Sequence, residues 1–501
     1  MNGLILFEDY HLLVVNKPSG INTHKPDRHA PDGIHEWLTK REPRWRNLSI
    51  LQRLDKDTSG VMVFGKTREA NQSLSKQFEQ HTIEKIYLLL SAERPTRVKF
   101  WEKSPNAVTE FEFIQAHGDY FLVQAKPLTG KTHQIRRHAA TAGFPILGDT
   151  EYEGDPAPRL MLHARKLSFQ HPATSERVSF EASVPRAFDD VDALVAAMEF
   201  REPLFDPQQT TAFRLVSGEA DGFPDVIVDS YDGHLLVQWQ TKEASEKGAE
   251  LIQHLQQECR PRAIYAQLVT KQERTAARLV AGTEMAERTA VRENGVTYLI
   301  NFGEGLATGV FLDQRENRRR LLAMPLQGKA VLNTFAYTCA FSVAAAKAGA
   351  VTTSVDLSKN YLEWGRENFR ANDLDPAGHD FIFGDAFEWL KRFAKRERQW
   401  DVVILDPPTF STTKKGRVFQ AARDYEELAA LAMPLVTAGG WLLCSTNQRT
   451  LDPEQFETSI HAAAKSCGRV TESLEFETVP FDFRGAPKER PYLKTLWAKL
   501  T

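Results

Sequence analysis

After residue 328 the chain settles into a strand–helix–strand rhythm: KAVLNTF, FSVAAAKAGA, VTTSVD, a helix from Lys359, then DVVILDPP and GGWLLCST. Short apolar runs alternating with helical stretches predict a parallel sheet with helices on both faces, a doubly wound α/β domain. The first 200 residues lack this rhythm. Their short alternating segments (LLVVNKP, SGVMVFGKT, YFLVQAKPL, KLSFQHP) predict an α+β domain built on a mixed, largely antiparallel sheet. Helices are predicted over 67–80 and 132–142, and AFDDVDALVAAMEF reads as a closing helix. A polar stretch with two prolines, REPLFDPQQTT, follows it. The division expected is a domain at 1–200, a linker at 201–210, a small α+β domain at 211–323 and the doubly wound domain at 324–501. Within the middle part, Asn294-Gly295 between AVREN and VTYLINF predicts a type I′ hairpin. A length of 501 residues accommodates three such domains at about 150 each.

Composition narrows the classes of function. Lys+Arg 63 against Asp+Glu 66 gives −3, with 26 of each sign before residue 201 and 37 basic against 40 acidic after it. No global basic field exists, so any nucleic-acid surface must be local. The four cysteines (Cys259, Cys339, Cys444, Cys467) form no C-x-x-C pair, which argues against a disulfide scaffold or a cysteine-built zinc site, and no metal is expected. No long uncharged apolar stretch predicts a membrane span, and Glu8 and Asp9 interrupt the apolar start, so it reads as strand. A cytoplasmic protein is expected.

Chemistry enters the first half at LQRLDKDTSG (51–60). An Asp flanked by Arg and Lys on a turn is, by itself, usually a surface ion pair. About 75 residues later come KPLTGKTHQIRRHAATAGFPILGD and LMLHARKLSFQHP. Together with VVNKPSG and EKIY, these segments resemble the RluA-type pseudouridine synthases over about residues 1–190. The resemblance implies a cofactor-free enzyme that isomerises uridine to pseudouridine in RNA. That chemistry needs a nucleophilic carboxylate while the base is detached and turned. Asp55 matches the family nucleophile, Arg136 the arginine that pairs with it, and Tyr87 the tyrosine that stacks on uracil and is a candidate for taking the C5 proton. Arg53 matches the residue that fills the space left by an extruded uridine. Lys131 and Arg137 are expected RNA contacts, while His133 and Gln134 read more simply as buried structural residues. Gln52 stands where the family has His, and Lys131 where it has Arg. KREPRWR (40–46), with interleaved Trp45, is a second candidate RNA contact.

In the second half, Asp356 ends a strand 23 residues after Asn333, near the spacing at which an acidic residue meets a ribose. Spacing alone leaves NAD and S-adenosylmethionine (SAM) open. The DPP of DVVILDPPTFS, with RLVSGEADGFPDVIVDSYDGHLLVQ, GVFLDQRENRRRL and YLKTLWAKL, resembles class I rRNA methyltransferases of the RlmI and RlmK type from about 211 to the end. The resemblance implies SAM as cofactor. It implies contacts from Phe311, Gln314 and Arg315 to the methionine end, from Asn333 and Phe335 in the first turn, from Asp356 to the ribose and from Asp385 to the adenine. Asp406 and Pro407 would face donor and acceptor. Cys339-Ala340 replaces the family's Gly-Gly. Methylating cytosine C5 requires a thiolate adduct at C6, whereas guanine N7 is already nucleophilic. Asn447 aligns with the cytosine-branch cysteine, Cys444 reads as a buried strand residue, and STNQR looks more like the 7-methylguanosine branch.

The combined expectation is a bifunctional RNA-modifying enzyme acting on rRNA, with tRNA as the other candidate substrate and no membrane or protein partner implied. The alternatives are an RNA-binding or assembly factor with a vestigial site, and a cytosine-C5 methyltransferase.

Overall fold

The computed structural model describes residues 3–303, 308–412, 418–485 and 489–501. The chain divides into two compact units: residues 1–27, 32–206 and 218–224 form the first, and 28–31, 207–217 and 225–501 the second.

The first unit is one ten-stranded sheet with a few helices. Its strands are β1 (Ile5–Glu8), β2 (Leu12–Lys17), β3 (Ser49–Ile50), β4 (Ser59–Gly65), β5 (Glu84–Ser91), β6 (Lys99–Ser104), β7 (Ala107–His117), β8 (Tyr120–Pro127), β9 (Leu162–Gln170) and β10 (Arg177–Glu181). The main path runs β1-β2-β4-β9-β5-β8-β7-β6, with β3 on β4 and β10 on β9. Every pairing is antiparallel except β4–β9. Gly60 sits at that parallel seam with φ +114, where a Cβ would come 2.2 Å from the Ala164 carbonyl oxygen. Helix α1 (Ile34–Arg41) precedes β3. Helix α2 (Arg68–Glu79), capped by Thr67, packs Leu74 with Val14, Val61 and Val63. Helix α3 (Gln134–Thr141) packs Ile135 and Ala139 with Leu89, Phe111 and Val123. Helix α4 (Ala193–Arg201) closes the unit, and Arg201 is buried in a two-pronged pair with Asp221 at 2.6 and 3.0 Å. That pair ties the start of the segment read as linker to the first unit.

The second unit holds two main sheets. Strands β11 (Ala212–Ser217), β12 (Val226–Tyr231), β13 (His234–Trp239), β14 (Ala263–Leu268) and β15 (Arg278–Gly282) pair in chain order. Helices α5 (Lys242–Glu246) and α6 (Ala249–Cys259) form the crossover that makes β13 and β14 parallel. A hairpin, β16 (Thr289–Glu293) and β17 (Val296–Ile300), turns at Asn294 and Gly295, both at positive φ, as the type I′ signal requires.

Helix α7 (Arg315–Ala323) leads into a seven-stranded sheet: β18 (Ala330–Thr334), β19 (Val351–Asp356), β20 (Asp380–Phe383), β21 (Trp400–Leu405), β24 (Val436–Thr446), β25 (Thr471–Glu477) and β26 (Lys494–Leu500). The intervening β22 (Phe410–Thr412) and β23 (Val418–Gln420) form a separate ribbon. The order β20-β19-β18-β21-β24-β26-β25 has a switch point beside β18, and only β26 runs antiparallel to its neighbours. Helices α8 (Ala340–Lys347), α9 (Lys359–Arg370), α10 (Ala386–Lys395), α11 (Ala421–Ala432) and α12 (Pro453–Ser466) alternate with the strands. This is the doubly wound arrangement that the rhythm after residue 328 predicts. One apolar cluster, including Tyr231, Leu236, Tyr298, Val343 and Phe369, joins the five-stranded sheet, the hairpin and helices α8 and α9.

Candidate active sites

In the first unit the segment after β2 grips the backbone of the loop before β4. Lys17, fully buried, donates to the carbonyls of Pro18 (2.9 Å), Ile21 (2.7 Å) and Lys56 (3.0 Å). Gly20 N–H also reaches the Lys56 carbonyl, the Ser19 hydroxyl donates to Asp57 O, and the Thr23 hydroxyl to Leu54 O. Burial lowers the Lys17 ammonium to about 7, against the attraction of Asp57 and Asp55. The carbonyls on both sides of Asp55 are thereby fixed, and its carboxylate lines a cleft of ≈1160 Å³.

Arg53, Lys56, Lys85, Lys131 and Arg136 line the same cleft, against only Asp55 and Glu79 among carboxylates. This is the local basic surface that the balanced composition required. Arg53 and Lys131 are exposed there, and Arg137, next on α3, faces solvent. The other candidate surface fails: Trp45 is buried, with its indole N–H on Glu8, and cannot stack on a base.

Two expected pairings differ. Arg136 sends its fork to Asp149, at 2.7 Å through both Nε and Nη2, with Glu151 at 3.2 Å. Asp55 has instead His133 Nε2 3.9 Å from its Oδ1. His133, expected from the sequence as a buried structural residue, is half-buried and lines the cleft. It stands in the left-handed region (φ 51) at the start of α3, with Nδ1 3.1 Å from the Tyr152 hydroxyl. An isolated histidine in a sequence carries no sign of that placement. Gln134, by contrast, is buried on Thr129, Val108 and Thr109, a structural role as read. Tyr87, half-buried in the cleft, has its phenol pushed up by burial and then by the Asp55 charge. It stays protonated at neutral pH, which suits stacking and donating better than taking the C5 proton.

In the second unit Asp356 ends β19 at the switch point. Its two oxygens accept the N–H groups of Tyr337 and Ser358, both at 2.8 Å, and burial raises its carboxyl. The loop between β18 and α8 alternates through positive φ at Phe335 (55), Tyr337 (49) and Cys339 (62), without a glycine. The family's glycine geometry is therefore kept by a cysteine, at a cost of about 1–2 kcal/mol for a left-handed residue. Gly365 on α9 makes the room: a Cβ there would lie 2.5 Å from Cys339 Sγ. Burial pushes the Cys339 thiol up to about 12, so it is not a nucleophile.

Phe311, 50% exposed, faces the Tyr337 ring at 5.2 Å. Among the described residues the buried Tyr337 hydroxyl has no hydrogen-bond partner. Asp385 caps α10 by accepting Glu388 N–H. Three of the implied cofactor contacts are spent elsewhere. Gln314, 2% exposed, donates to Asp406 Oδ1 (3.0 Å) and Ser445 Oγ (2.7 Å); Arg315 is buried on Asp482; Asn333 donates to Ser342 Oγ. All three side chains are buried and hydrogen-bonded within the protein. Asp406, just past β21, is pushed up to about 7 by burial, helped by the charge of Asp313. Pro407 beside it is buried. Cys444 belongs to the core of the seven-stranded sheet, and exposed Asn447, past the end of β24, accepts the Thr409 hydroxyl of the D-P-P loop.

The family model for S-adenosylmethionine-dependent methyltransferases matches residues 214–483, more than half of the chain. The chain belongs to that family. The RNA pseudouridylate synthase model matches residues 11–141, so a synthase domain precedes the methyltransferase. YwbD of Bacillus subtilis is 39% identical over 313 residues, covering 60% of this chain and 78% of its own length. The ribosomal RNA large subunit methyltransferase I of Aeromonas salmonicida is 34% identical, covering 56% and 72%. The crystal structure of SMU.776 complexed with SAH superposes with TM-score 0.57 at 28% identity, over 66% of this chain and 87% of that one. The cofactor of the methyltransferase part is SAM. The open Phe311 face, the Tyr337 hydroxyl and the strand-end carboxylate of Asp356 fit its aromatic, ribose and charged groups.

Proposed function

We propose that the chain is a bifunctional RNA-modifying enzyme of the cytoplasm, forming pseudouridine in its first unit and methylating a base of large-subunit rRNA in its second. The observation carrying the first activity is Asp55, held by its backbone in a cleft whose lysines and arginines outnumber its carboxylates. The carboxylate serves as nucleophile: its oxygen bonds to C1′ as the C1′–N1 bond breaks and the uracil leaves as its anion; after the base turns, C5 bonds to C1′ as the C1′–O bond to Asp55 breaks, and the proton lost from C5 is balanced by one gained at N1. Arg53, Lys131 and Arg137 meet the phosphates, and Arg53 fills the vacated stack. Tyr87 stacks on the uracil. Arg136, paired with Asp149, reaches Asp55 through longer-range attraction.

For the second activity, SAM supplies an electrophilic methyl group when bound. Asp356 takes the ribose hydroxyls, Asp385 the adenine edge, Phe311 and Phe335 flank the cofactor, and Asp406-Pro407 presents the acceptor. Gln314, Arg315 and Asn333 hold this frame in place. Guanine N7 is the favoured acceptor, supported by Asn447 at the strand end and by the buried, raised thiols of Cys339 and Cys444. Nucleoside mass spectrometry of rRNA and tRNA from a deletion strain tests both activities. Loss of one pseudouridine and one 7-methylguanosine from large-subunit rRNA is expected, and an unchanged nucleoside profile would refute the reading.

A further inference from the structure

Across the five-stranded sheet of the second unit runs a row of polar side chains where an apolar face would be ordinary. Arg214 on β11 is in register with Asp229 on β12, and Gln238 on β13 with Gln267 on β14. Arg214 donates to Asp229 at 2.8 and 3.2 Å, and Gln238 Nε2 donates to Asp229 at 3.2 Å, leaving the Gln238 oxygen unused. Gln267 is 8% exposed, and the surface it keeps lies in the pocket wall. These four residues line one pocket of ≈200 Å³.

An amide that lines a pocket can exchange water for the hydrogen bonds of a ligand with little net loss. The remaining walls say which ligand. The Arg214 guanidinium stacks on the Phe483 ring at 4.0 Å, and Phe311 lines this pocket and packs on Tyr337. Flat guanidinium and aromatic surfaces are what unstacked RNA bases pack on, and amides read their hydrogen-bonding edges. The volume is below the roughly 300–1,000 Å³ of drug-sized sites and suits one base. Asp313, which accepts the Tyr492 hydroxyl at 2.8 Å, lines the pocket, and the next residue, Gln314, donates to Asp406 Oδ1 at 3.0 Å. One step along the chain links the pocket wall to the D-P-P segment.

The geometry points to this pocket as the receptor for the extruded methyl-acceptor nucleobase, with Gln267 reading its edge. The inference rests on the methyltransferase reading above and adds the substrate subsite to it. Guanine satisfies the pocket's groups: its O6 accepts from Gln267 Nε2, and its N1–H and N2–H donate to amide or carboxylate oxygens. The base must leave its stack, so RNA structure around it matters as much as its identity.

The test uses the full chain, tritiated methyl-SAM and an unmodified transcript of large-subunit rRNA, with SAM affinity measured separately by calorimetry. Gln267→Leu and the gentler Gln267→Glu are compared with wild type. SAM affinity within twofold of wild type, with kcat/KM for RNA methylation reduced at least about tenfold in Gln267→Leu, is the result expected from a lost base contact. Wild-type transfer with both variants within twofold of it would mean that the pocket holds only water, and would overturn the inference. Parallel loss of SAM affinity and transfer in both variants would also overturn it, making Gln267 a folding residue. Tight SAM binding with no transfer by wild type would refute the rRNA reading itself, a result distinguishable from failure of the pocket alone.

Discussion

Asp55 and Asp406 stand at the centres of the two sites under opposite conditions. Asp55 is in an open cleft among cations, its backbone fixed by four residues of one segment and its oxygens left for the substrate. Asp406 is also half-buried, but it is held by Gln314 and feels the charge of Asp313, and its carboxyl is raised to about 7. A carboxylate that must attack needs its charge and free lone pairs, so the fold secures it by backbone and surrounds it with positive charge. A carboxylate that frames a cationic cofactor can be kept partly protonated until that charge arrives. The two units thus use one functional group in two ways, and the difference lies in its neighbours.

The sharpest way to break this comparison is Asp55→Asn. It should reduce pseudouridine formation to background, read as tritium release from 5-tritiated uridine RNA, while SAM affinity stays at the wild-type value. Isomerisation within about tenfold of wild type would remove Asp55 from the nucleophile role.

Asp356→Ala comes next. It removes the ribose partner and the acceptor of the Tyr337 and Ser358 N–H groups, so SAM affinity should fall at least about tenfold by calorimetry. Unchanged affinity in the folded variant would mean that this strand end does not hold the cofactor.

How much of this the sequence carried follows from the range of each interaction. The strand–helix alternation after 328, the Asn-Gly hairpin and the Thr67-capped helix are local patterns, and the structure contains all three. RLDKDTSG also reads locally, because the loop and its aspartate are contiguous. The partners do not. Arg136 chooses Asp149 over Asp55, and Trp45 is claimed by Glu8, 37 residues away. The polar row from Arg214 to Gln267 exists only once four strands are in register. Gln314, Arg315 and Asn333 lie in the matching motifs, but their partners Asp406, Asp482 and Ser342 could not be read from those motifs. A motif marks a neighbourhood; the direction of each side chain is set by packing.

The pH dependence of cofactor binding sharpens the contrast. Asp406 is raised from its ordinary value to about 7, so the folded, free protein holds an extra proton between roughly pH 4 and 7. A raised carboxyl contributes stability at low pH that is lost as pH rises through 7. The sulfonium of SAM favours the ionised form, so affinity for SAM should rise about tenfold from pH 6 to 8, as the competent fraction grows. S-adenosylhomocysteine, which lacks that charge, should show a much flatter profile, and Asp406→Asn should flatten both. Equal slopes for the two ligands would place the titration elsewhere.

Gly365→Ala tests how the loop before α8 tolerates Cys339. The added methyl would meet the thiol at 2.5 Å, and overpacking should outweigh the helix propensity gained, for a net loss of about 1 kcal/mol in urea denaturation. Adding Cys339→Gly should restore or exceed wild-type stability, because glycine takes the left-handed backbone without strain. Additive effects in the pair would show that the two residues do not share the space.

The smallest effect is expected at Cys444. Its thiol is buried in the core and pushed well up by burial, and exposed Asn447, just past the strand end, is the residue we propose at the place of the cytosine-branch nucleophile. Cys444→Ser should therefore keep methyl transfer within about twofold once any loss of stability from a buried hydroxyl is allowed for, and Cys339→Ser should do the same. RNA carrying 5-fluorocytidine should leave no gel-stable adduct, since trapping requires a thiolate joined to C6. An adduct that disappears with Cys444→Ser would put the cysteine in contact with the base and move the reaction to cytosine C5. It would also reverse the comparison between the units, because both halves would then attack their base covalently, one through an open carboxylate and the other through a thiol that burial keeps neutral.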